Sequence, residues 1–155
     1  MTQDVTIREG TSADFGFVRD LGDRTVADSI SELRPAPATL PRDSYERLVA
    51  FAREQSHVLL VAESAMERLG FALVLDGLPD EVTGLPQGFV AYMAVEPHAR
   101  RRGIGRALLD AVEAASRERG LSHVSLMVTE DNLAARQLYA QAGYSTERRL
   151  LCKAV

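Results

Sequence analysis

Four arginines and two glycines lie within the seven residues RRRGIGR, at positions 100–106. This segment follows an apolar run that ends at Pro97 and precedes a regular helical pattern. The first turn of a helix leaves backbone N–H groups without partners, and the helix dipole adds partial positive charge there. Glycines let the backbone approach a ligand closely, and arginines add full charges. The segment therefore predicts a cradle for phosphate oxygens, most simply those of a pyrophosphate.

Two common phosphate-binding motifs do not fit this segment. A P-loop places Lys and then Ser or Thr directly after its second glycine, whereas Gly105 is followed by Arg106 and Ala107. A dinucleotide-binding fingerprint has a third glycine three positions after the second, and that position is Leu108. The phosphate ligand is therefore held by a different kind of loop.

The elements around the loop are predicted from hydrophobic periodicity and from turn residues. Thr11 and Asp14 have the spacing of a capping box, so a helix begins there, and a second helix covers residues 42–55. A third helix follows Gly105 and ends near Gly120, and a fourth runs from Asn132 to Gly143. The predicted strands are DVTIRE, SHVLLVAES, LGFALVLDG, FVAYMAVEP, HVSLMVTE and STERRLLCKAV. Hairpin-linked strands followed by a β-α-β crossover predict an α/β (α+β) fold with a mixed sheet and helices on its faces.

Length and composition narrow the class of protein. A chain of 155 residues predicts one domain over residues 1–155, and 46% hydrophobic residues suffice for a full core. The single Cys152 excludes an internal disulfide and a cysteine-based zinc cluster, so we expect no metal. The polar start is unlike a signal peptide, and no apolar run approaches the roughly 18 residues of a membrane span. We therefore expect a cytoplasmic protein without membrane contact.

The net charge of −4 is unevenly distributed along the chain. Residues 1–98 hold eight arginines and sixteen acids, whereas residues 99–155 hold ten basic residues and six acids. A basic C-terminal part in an acidic protein indicates a local anionic ligand rather than nucleic-acid binding, although ordinary surface variation explains the asymmetry equally well.

Two motifs together resemble the GNAT superfamily of N-acetyltransferases. The pattern Arg100-x-x-Gly103-x-Gly105 is similar to the acetyl-CoA pyrophosphate loop of that superfamily. The segment NLAARQLYAQAGY, which begins at Asn132, is similar to its Asn-x-x-Ala-x-x-x-Tyr-x-x-x-Gly-Phe/Tyr helix. The resemblance covers residues 89–144 and implies the acyl-CoA N-acyltransferase fold, an enzyme, and acetyl-CoA as its cosubstrate.

The resemblance also implies a role for particular residues. The strand before the loop would pair with the pantetheine arm, a bulge in it would splay it from the next strand, and the loop N–H groups would hold the pyrophosphate. Asn132 would contact the cofactor, although a plain helix N-cap explains this asparagine as well. The residues so assigned to the cofactor are Met93, Ala94, Val95, Arg100, Arg101, Arg102, Gly103, Ile104, Gly105, Arg106 and Asn132.

The implied reaction is direct attack of an amine on the thioester carbonyl. Tyr139 matches the acid that protonates the leaving thiolate, the alternative being an aromatic packing residue. A backbone N–H near Val95 would stabilise the oxyanion. No base is assigned, because Phe89, Ala91 and Met93 are apolar and a regular strand turns Tyr92 to the other face. The remaining candidates are more simply structural or solvated residues: Asp80, Glu81, Glu96, His57 and His123.

The acceptor is a small-molecule or peptide amine whose identity the sequence leaves open, as it does an acyl group other than acetyl. Many acids in the N-terminal helices and in the loop of residues 78–88 favour a cationic acceptor. Homodimers are common in the superfamily, and no surface is indicated. Two alternative functions remain, a CoA-binding module without efficient catalysis and a regulatory domain that binds nucleotide at the arginine loop.

Overall fold

A computed structural model describes residues 4–155 of the chain. None of the helices in this range combines the length and the apolar character needed to cross a bilayer. Three short 3-10 turns, at Ser12–Asp14, Val26–Ser29 and Pro97–Ala99, separate the longer elements. These longer elements are β1 (Thr6–Glu9), α1 (Phe15–Thr25), α2 (Thr39–Glu54), β2 (His57–Glu63), β3 (Arg68–Leu75), β4 (Gln87–Val95), α3 (Ile104–Glu118), β5 (His123–Leu126) and α4 (Leu133–Gln141).

The five strands form one mixed sheet in the order β1-β2-β3-β4-β5. The first four strands are antiparallel neighbours, whereas β4 and β5 are parallel. The parallel pair needs a crossover, and α3 provides it between the two strands. The mixed sheet predicted from the hairpins and the β-α-β unit is therefore confirmed.

Helices cover both faces of the sheet, as predicted. Leu59 and Val61 of β2 pack in one buried cluster with residues of α1 and α2. Val58 and Leu60 of the same strand lie in the other cluster, which includes residues of α3. Successive side chains of a strand point to opposite faces, so a strand covered on both sides reads as a continuous apolar run.

The chain enters α1 through the capping box that the sequence predicts. Thr11 caps the 3-10 turn, and the Asp14 carboxylate accepts the Thr11 backbone N–H at 2.8 Å. Asp14 is almost fully buried and accepts two hydrogen bonds of 2.9 Å from Arg8 and one of 2.8 Å from Arg68. The hydrogen bonds from Arg8, more than any other contact, hold the pKa of Asp14 well below its usual range despite its burial. This carboxylate therefore ties β1, β3 and the start of α1 together.

We expect Asp14→Ala to destabilise the fold by about 3 kcal/mol at pH 7, because two arginines lose a buried partner. For a chain of this size the melting temperature should fall by about 6–12 °C. The folded-state pKa of Asp14 lies below the unfolded value of about 3.9, so its contribution is complete above that pH and disappears as the pH falls. Thermal unfolding from pH 7 to pH 2 should show the difference between wild type and variant narrowing below about pH 4. Asp20→Ala is the control, because Asp20 makes an exposed pair with Arg24.

The C-terminal segment differs from the sequence prediction. STERRLLCKAV was predicted as a strand, but residues 145–155 are exposed and form no ladder with any strand in the described part of the chain. The predicted strand HVSLMVTE is also shorter, since β5 ends at Leu126, and α2 begins at Thr39 rather than at Arg42. The strand prediction for 145–155 is wrong here because strand propensity describes the side chains, whereas a strand also needs an adjacent backbone edge.

Candidate active site

The start of α3 presents a row of backbone N–H groups without protein acceptors. Within residues 4–155, no acceptor pairs with the N–H groups of residues 101–106, and the first bond is from Ala107 to the Gly103 carbonyl, at 3.0 Å. Arg101 and Gly103 have left-handed φ values of 61° and 78°, which curl the loop. A Cβ built on Gly103 would meet no protein atom within 4 Å, so the space beside it is free for a ligand. N–H groups at a curled helix start form an anion site.

Three arginine side chains surround this loop. Arg101 and Arg102 are exposed, and neither has an ion-pair partner among the residues described. The guanidinium of Arg100 lies 3.3 Å from Asp28, in an exposed pair. Positive charge near the N–H groups is therefore available mainly from Arg101 and Arg102.

Gly105 and Arg106 connect α3 to α4. A Cβ on Gly105 would lie 3.0 Å from a methyl group of Leu138, so glycine here permits close packing of the two helices. The Arg106 side chain donates to Asp110 at 3.1 Å and to the Gln141 carbonyl, the last residue of α4, at 3.0 Å. The sequence pattern groups both residues with the phosphate loop. In the structure, the absence of a side chain at Gly105 and the side-chain contacts of Arg106 hold α3 against α4.

A bulge interrupts β4 opposite β3. Val74 pairs with Val90 and Leu73 pairs with Tyr92, so Ala91 is an extra residue. Because of the bulge, Ala91 and Tyr92 both pack against the cluster of α1 and α2. The regular strand considered in the sequence analysis would have turned Tyr92 to the other face. The bulge implied by the family resemblance is thus present.

Strands β4 and β5 separate immediately after the bulge begins. Their parallel pairing runs from Gln87 with His123 to Val90 with Leu126 and stops there. The remaining residues of β4 keep their pairing with β3 alone. A cleft therefore opens between the C-terminal part of β4 and the chain that follows β5.

The antiparallel pairing decides which backbone groups face this cleft. The Glu96 N–H donates to the Leu69 carbonyl at 2.7 Å, so these two residues are a hydrogen-bonded pair. Hydrogen-bonded and non-bonded pairs alternate along an antiparallel ladder. Ala94 is therefore bonded to β3, whereas Met93 and Val95 direct their N–H and C=O groups to the open edge. Of the three residues assigned to the pantetheine arm, Met93 and Val95 face this edge, and the Val95 carbonyl also accepts a hydrogen bond of 3.4 Å from the Arg100 side chain.

Helix α4 supplies the other two candidate residues. The Asn132 side chain accepts a hydrogen bond of 3.2 Å from the Ala135 N–H and so caps the helix. Tyr139 is half-buried, its ring centroid lies 6.0 Å from that of Tyr144, and no partner of its hydroxyl occurs among residues 4–155. Burial, with a smaller effect of Tyr92, raises the pKa of Tyr139 above its ordinary value. Tyr139 therefore stays protonated at neutral pH, as a proton donor must.

The candidate bases of the sequence analysis lie in other contacts. Glu96 makes an ion pair with Arg24 at 2.7 Å, and Asp80 makes one with Arg148 at 2.7 Å. Both carboxylates are therefore occupied by arginines, and the hydrogen bonds from Arg148 also hold the pKa of Asp80 well below its usual range. The geometry singles out neither of them as a base.

A cavity of about 310 Å³ adjoins β4 at the bulge, and sequence reasoning missed it. Tyr92 lines it, and the Tyr92 hydroxyl lies 3.0 Å from the Thr25 hydroxyl. No local pattern marks these residues, because they come from three separate elements. The lining residues are Val26, Ser29, Ile30, Pro41, Ser44, Tyr45, Leu48 and Tyr92.

Comparison with known families gives one match over most of the chain. Residues 27–144 match the model described as the acetyltransferase (GNAT) family. A mycothiol acetyltransferase from Clavibacter michiganensis subsp. michiganensis is 33% identical over 134 residues, which cover 86% of this chain and 38% of that protein. The chain thus spans less than half the length of this curated relative.

Solved structures share the same architecture. A putative acetyl transferase from Pyrococcus furiosus superposes with a TM-score of 0.84 at 24% identity, covering 98% of this chain and 100% of that one. The structure of AAC(6')-Iy with the bisubstrate analog CoA-S-monomethyl-acetylneamine has a TM-score of 0.68 at 20% identity, covering 98% of both chains. At these identities the likeness establishes the fold, namely a mixed sheet of five strands with helices on both faces.

Proposed function

Since the chain belongs to the acetyltransferase (GNAT) family, we propose that it transfers the acetyl group of acetyl-CoA to a primary amine by direct attack. The observation that carries the proposal is the N–H cradle at residues 101–106, placed beside the split between β4 and β5. A phosphate-binding helix start next to an unpaired strand edge suits a ligand with a pyrophosphate and an extended amide arm.

The loop and strand fit CoA at two separate points. The free N–H groups around Gly103, with Arg101 and Arg102, would hold the pyrophosphate oxygens. The Met93 C=O and the Val95 N–H would pair with the amides of the pantetheine arm, as an added strand does. Asn132, whose carbonyl oxygen caps α4, retains its amide N–H groups for the cofactor.

In the proposed reaction a C–N bond forms and a C–S bond breaks at the thioester carbonyl. The attacking amine must be neutral, and a lysine-type amine has a pKa of about 10, so it loses a proton to water before or during attack. The Met93 N–H, which faces the open edge nearer the bulge than Val95, would donate to the carbonyl oxygen as negative charge develops there. Tyr139, which is protonated at pH 7, would give its proton to the departing thiolate. The second proton that the amine nitrogen loses would return to Tyr139 through water, so the transfer balances.

The names of the relatives mention two compounds, mycothiol and an aminoglycoside. Neither compound is assigned to this chain as an acceptor, because the alignment spans only part of the mycothiol enzyme and the aminoglycoside enzyme shares the fold alone. A homodimer stays a prediction.

The test is acetyl-CoA turnover with a panel of amines. Turnover is measured in two ways, as the release of free CoA thiol and as the mass of the acetylated product. We expect an increase of 42 Da on at least one amine and one thiol per acetyl group, as the balanced transfer requires. A protein that binds acetyl-CoA but acetylates no amine would instead be a CoA-binding module. Failure to bind acetyl-CoA, with nucleotide bound at the loop, would favour a regulatory domain.

A further inference from the structure

The cavity beside the β4 bulge is apolar and carries no charged side chain. Four of its lining residues are Val, Ile, Leu or Pro, and the other four are serine or tyrosine. Its volume of about 310 Å³ lies at the small end of the range typical of small-molecule sites. It therefore suits a compact ligand that buries hydrocarbon.

The cavity lies close to the strand edge at which we propose that acetyl transfer occurs. Tyr92, in its wall, is the residue after the bulged Ala91, and Met93 comes next with its backbone groups at the open edge. The cavity lies on the α1 and α2 side of this strand, where Tyr45 and Tyr92 pack together with ring centroids 4.7 Å apart. A ligand in the cavity thus lies next to the point where β4 and β5 separate.

The side-chain polar groups of the lining residues are the hydroxyls of Ser29, Ser44, Tyr45 and Tyr92. The Thr25 hydroxyl donates to the Leu21 carbonyl at 2.8 Å, so the Tyr92 hydroxyl donates to Thr25 at 3.0 Å. The Tyr92 oxygen keeps a lone pair that can accept from an amine N–H. The Tyr45 hydroxyl is already committed to the Val18 carbonyl at 2.6 Å.

The acids near the N-terminal helices do not line the cavity. Asp20 pairs with Arg24 at 3.0 Å, and Asp28 pairs with Arg100 at 3.3 Å. Asp23 is the one contrary candidate, because its Oδ1 is buried without a partner among residues 4–155 and burial raises its pKa. Asp23 is nevertheless not in the wall. A polycation would therefore lose water here without gaining a carboxylate.

We propose that this cavity is the acceptor site and that it selects a small primary amine on an apolar, otherwise uncharged body, rather than a polycation. This inference rests on the proposed function and names the substrate class for it. The Tyr92 oxygen would orient the amine, and the apolar wall would hold the hydrocarbon body. Burial of that body supplies the preference, because removing apolar surface from water is favourable.

The first experiment compares two amines with acetyl-CoA at saturation. We expect kcat/KM for 2-phenylethylamine to exceed that for spermidine by about 100-fold, since only the first amine fits an uncharged apolar wall. Equal values, or a preference for spermidine, would overturn the inference while leaving acetyl transfer intact. Asp23→Asn should leave both values within about twofold, and a selective loss of spermidine turnover in this variant would assign recognition to Asp23 instead.

A second experiment measures the site without turnover. Calorimetric titration of 2-phenylethylamine into protein saturated with CoA should show binding that Leu48→Glu weakens at least about 10-fold, because a carboxylate enters the apolar wall. Leu40→Glu, on an exposed position of the same helix, is the matched control and should bind normally. CoA affinity should be unchanged in both variants. If the amine does not bind, or binds equally to both variants, the cavity is not the acceptor site, even if the protein acetylates an amine elsewhere.

Discussion

Replacing Gly103 with aspartate is expected to abolish measurable acetyl-CoA binding, with Kd raised at least about 100-fold. Gly103 lies at the centre of the unpaired N–H groups, and no protein atom lies within 4 Å of where a Cβ would stand. The new carboxylate would therefore occupy the space for phosphate oxygens and repel them. The measurement is calorimetric titration of the folded variant with acetyl-CoA.

Other glycines of the chain provide the controls. Gly84 and Gly120 have φ values of 74° and 72° and equally empty surroundings, so aspartate there introduces the same backbone strain away from the loop. Both variants should bind acetyl-CoA like the wild type. Gly103→Asn adds the strain and the bulk without the charge, and an intermediate loss is expected. If Gly103→Asp binds normally, residues 101–106 are a helix start and not a phosphate site.

Replacing Tyr139 with phenylalanine should reduce kcat by about 10²–10⁴-fold, the usual contribution of a positioned proton donor. The change removes one hydroxyl and little volume, so acetyl-CoA affinity should stay within about twofold. The loss should appear in kcat rather than in KM, because the proton is transferred in the transition state. Steady-state kinetics with the best amine of the panel provide the measurement. A kcat within twofold of wild type would make Tyr139 a packing residue, with water protonating the thiolate.

Tyr144 is the matched control for this variant. Its ring packs against that of Tyr139, and its hydroxyl is buried without a partner in the described chain. Burial raises the pKa of Tyr144 to about 12. Tyr144→Phe removes an unsatisfied polar atom, so kcat should be unchanged and stability should not fall. Loss of activity in both variants would indicate that the helix end, rather than the Tyr139 hydroxyl, is required.

Hydrophobic periodicity predicted most of the fold correctly. The two hairpin strands, the capping box at Thr11 and the α3 helix with its stop at Gly120 follow from local spacing. These features depend on residues that are close in sequence, so a local pattern contains the physical cause. The segment of residues 145–155 did not follow its pattern, because a strand needs a neighbouring edge that no local pattern describes.

The sequence by itself is sufficient to predict a ligand class at the start of α3. Glycine at a left-handed position, the arginines and the helix start at Ile104 are all local properties, and together they favour a phosphate. The Asn132 to Tyr144 helix then limited the choice to one family. The sequence also predicts that the Arg106 charge faces the ligand. It could not show that this side chain contacts Asp110 and the Gln141 carbonyl, because the second contact arises from the packing of α3 against α4.

Only the tertiary structure decided how the site is built around that loop. The bulge at Ala91 arises from pairing with β3, and it turns Tyr92 toward α2 and frees the edge at Met93 and Val95. The cavity likewise combines residues up to 66 positions apart in sequence, from Val26 to Tyr92. A sequence records which side chains are present, whereas strand register and helix packing set which of them share a space. The acceptor preference that we propose therefore rests on the packing and not on the acids of the N-terminal helices.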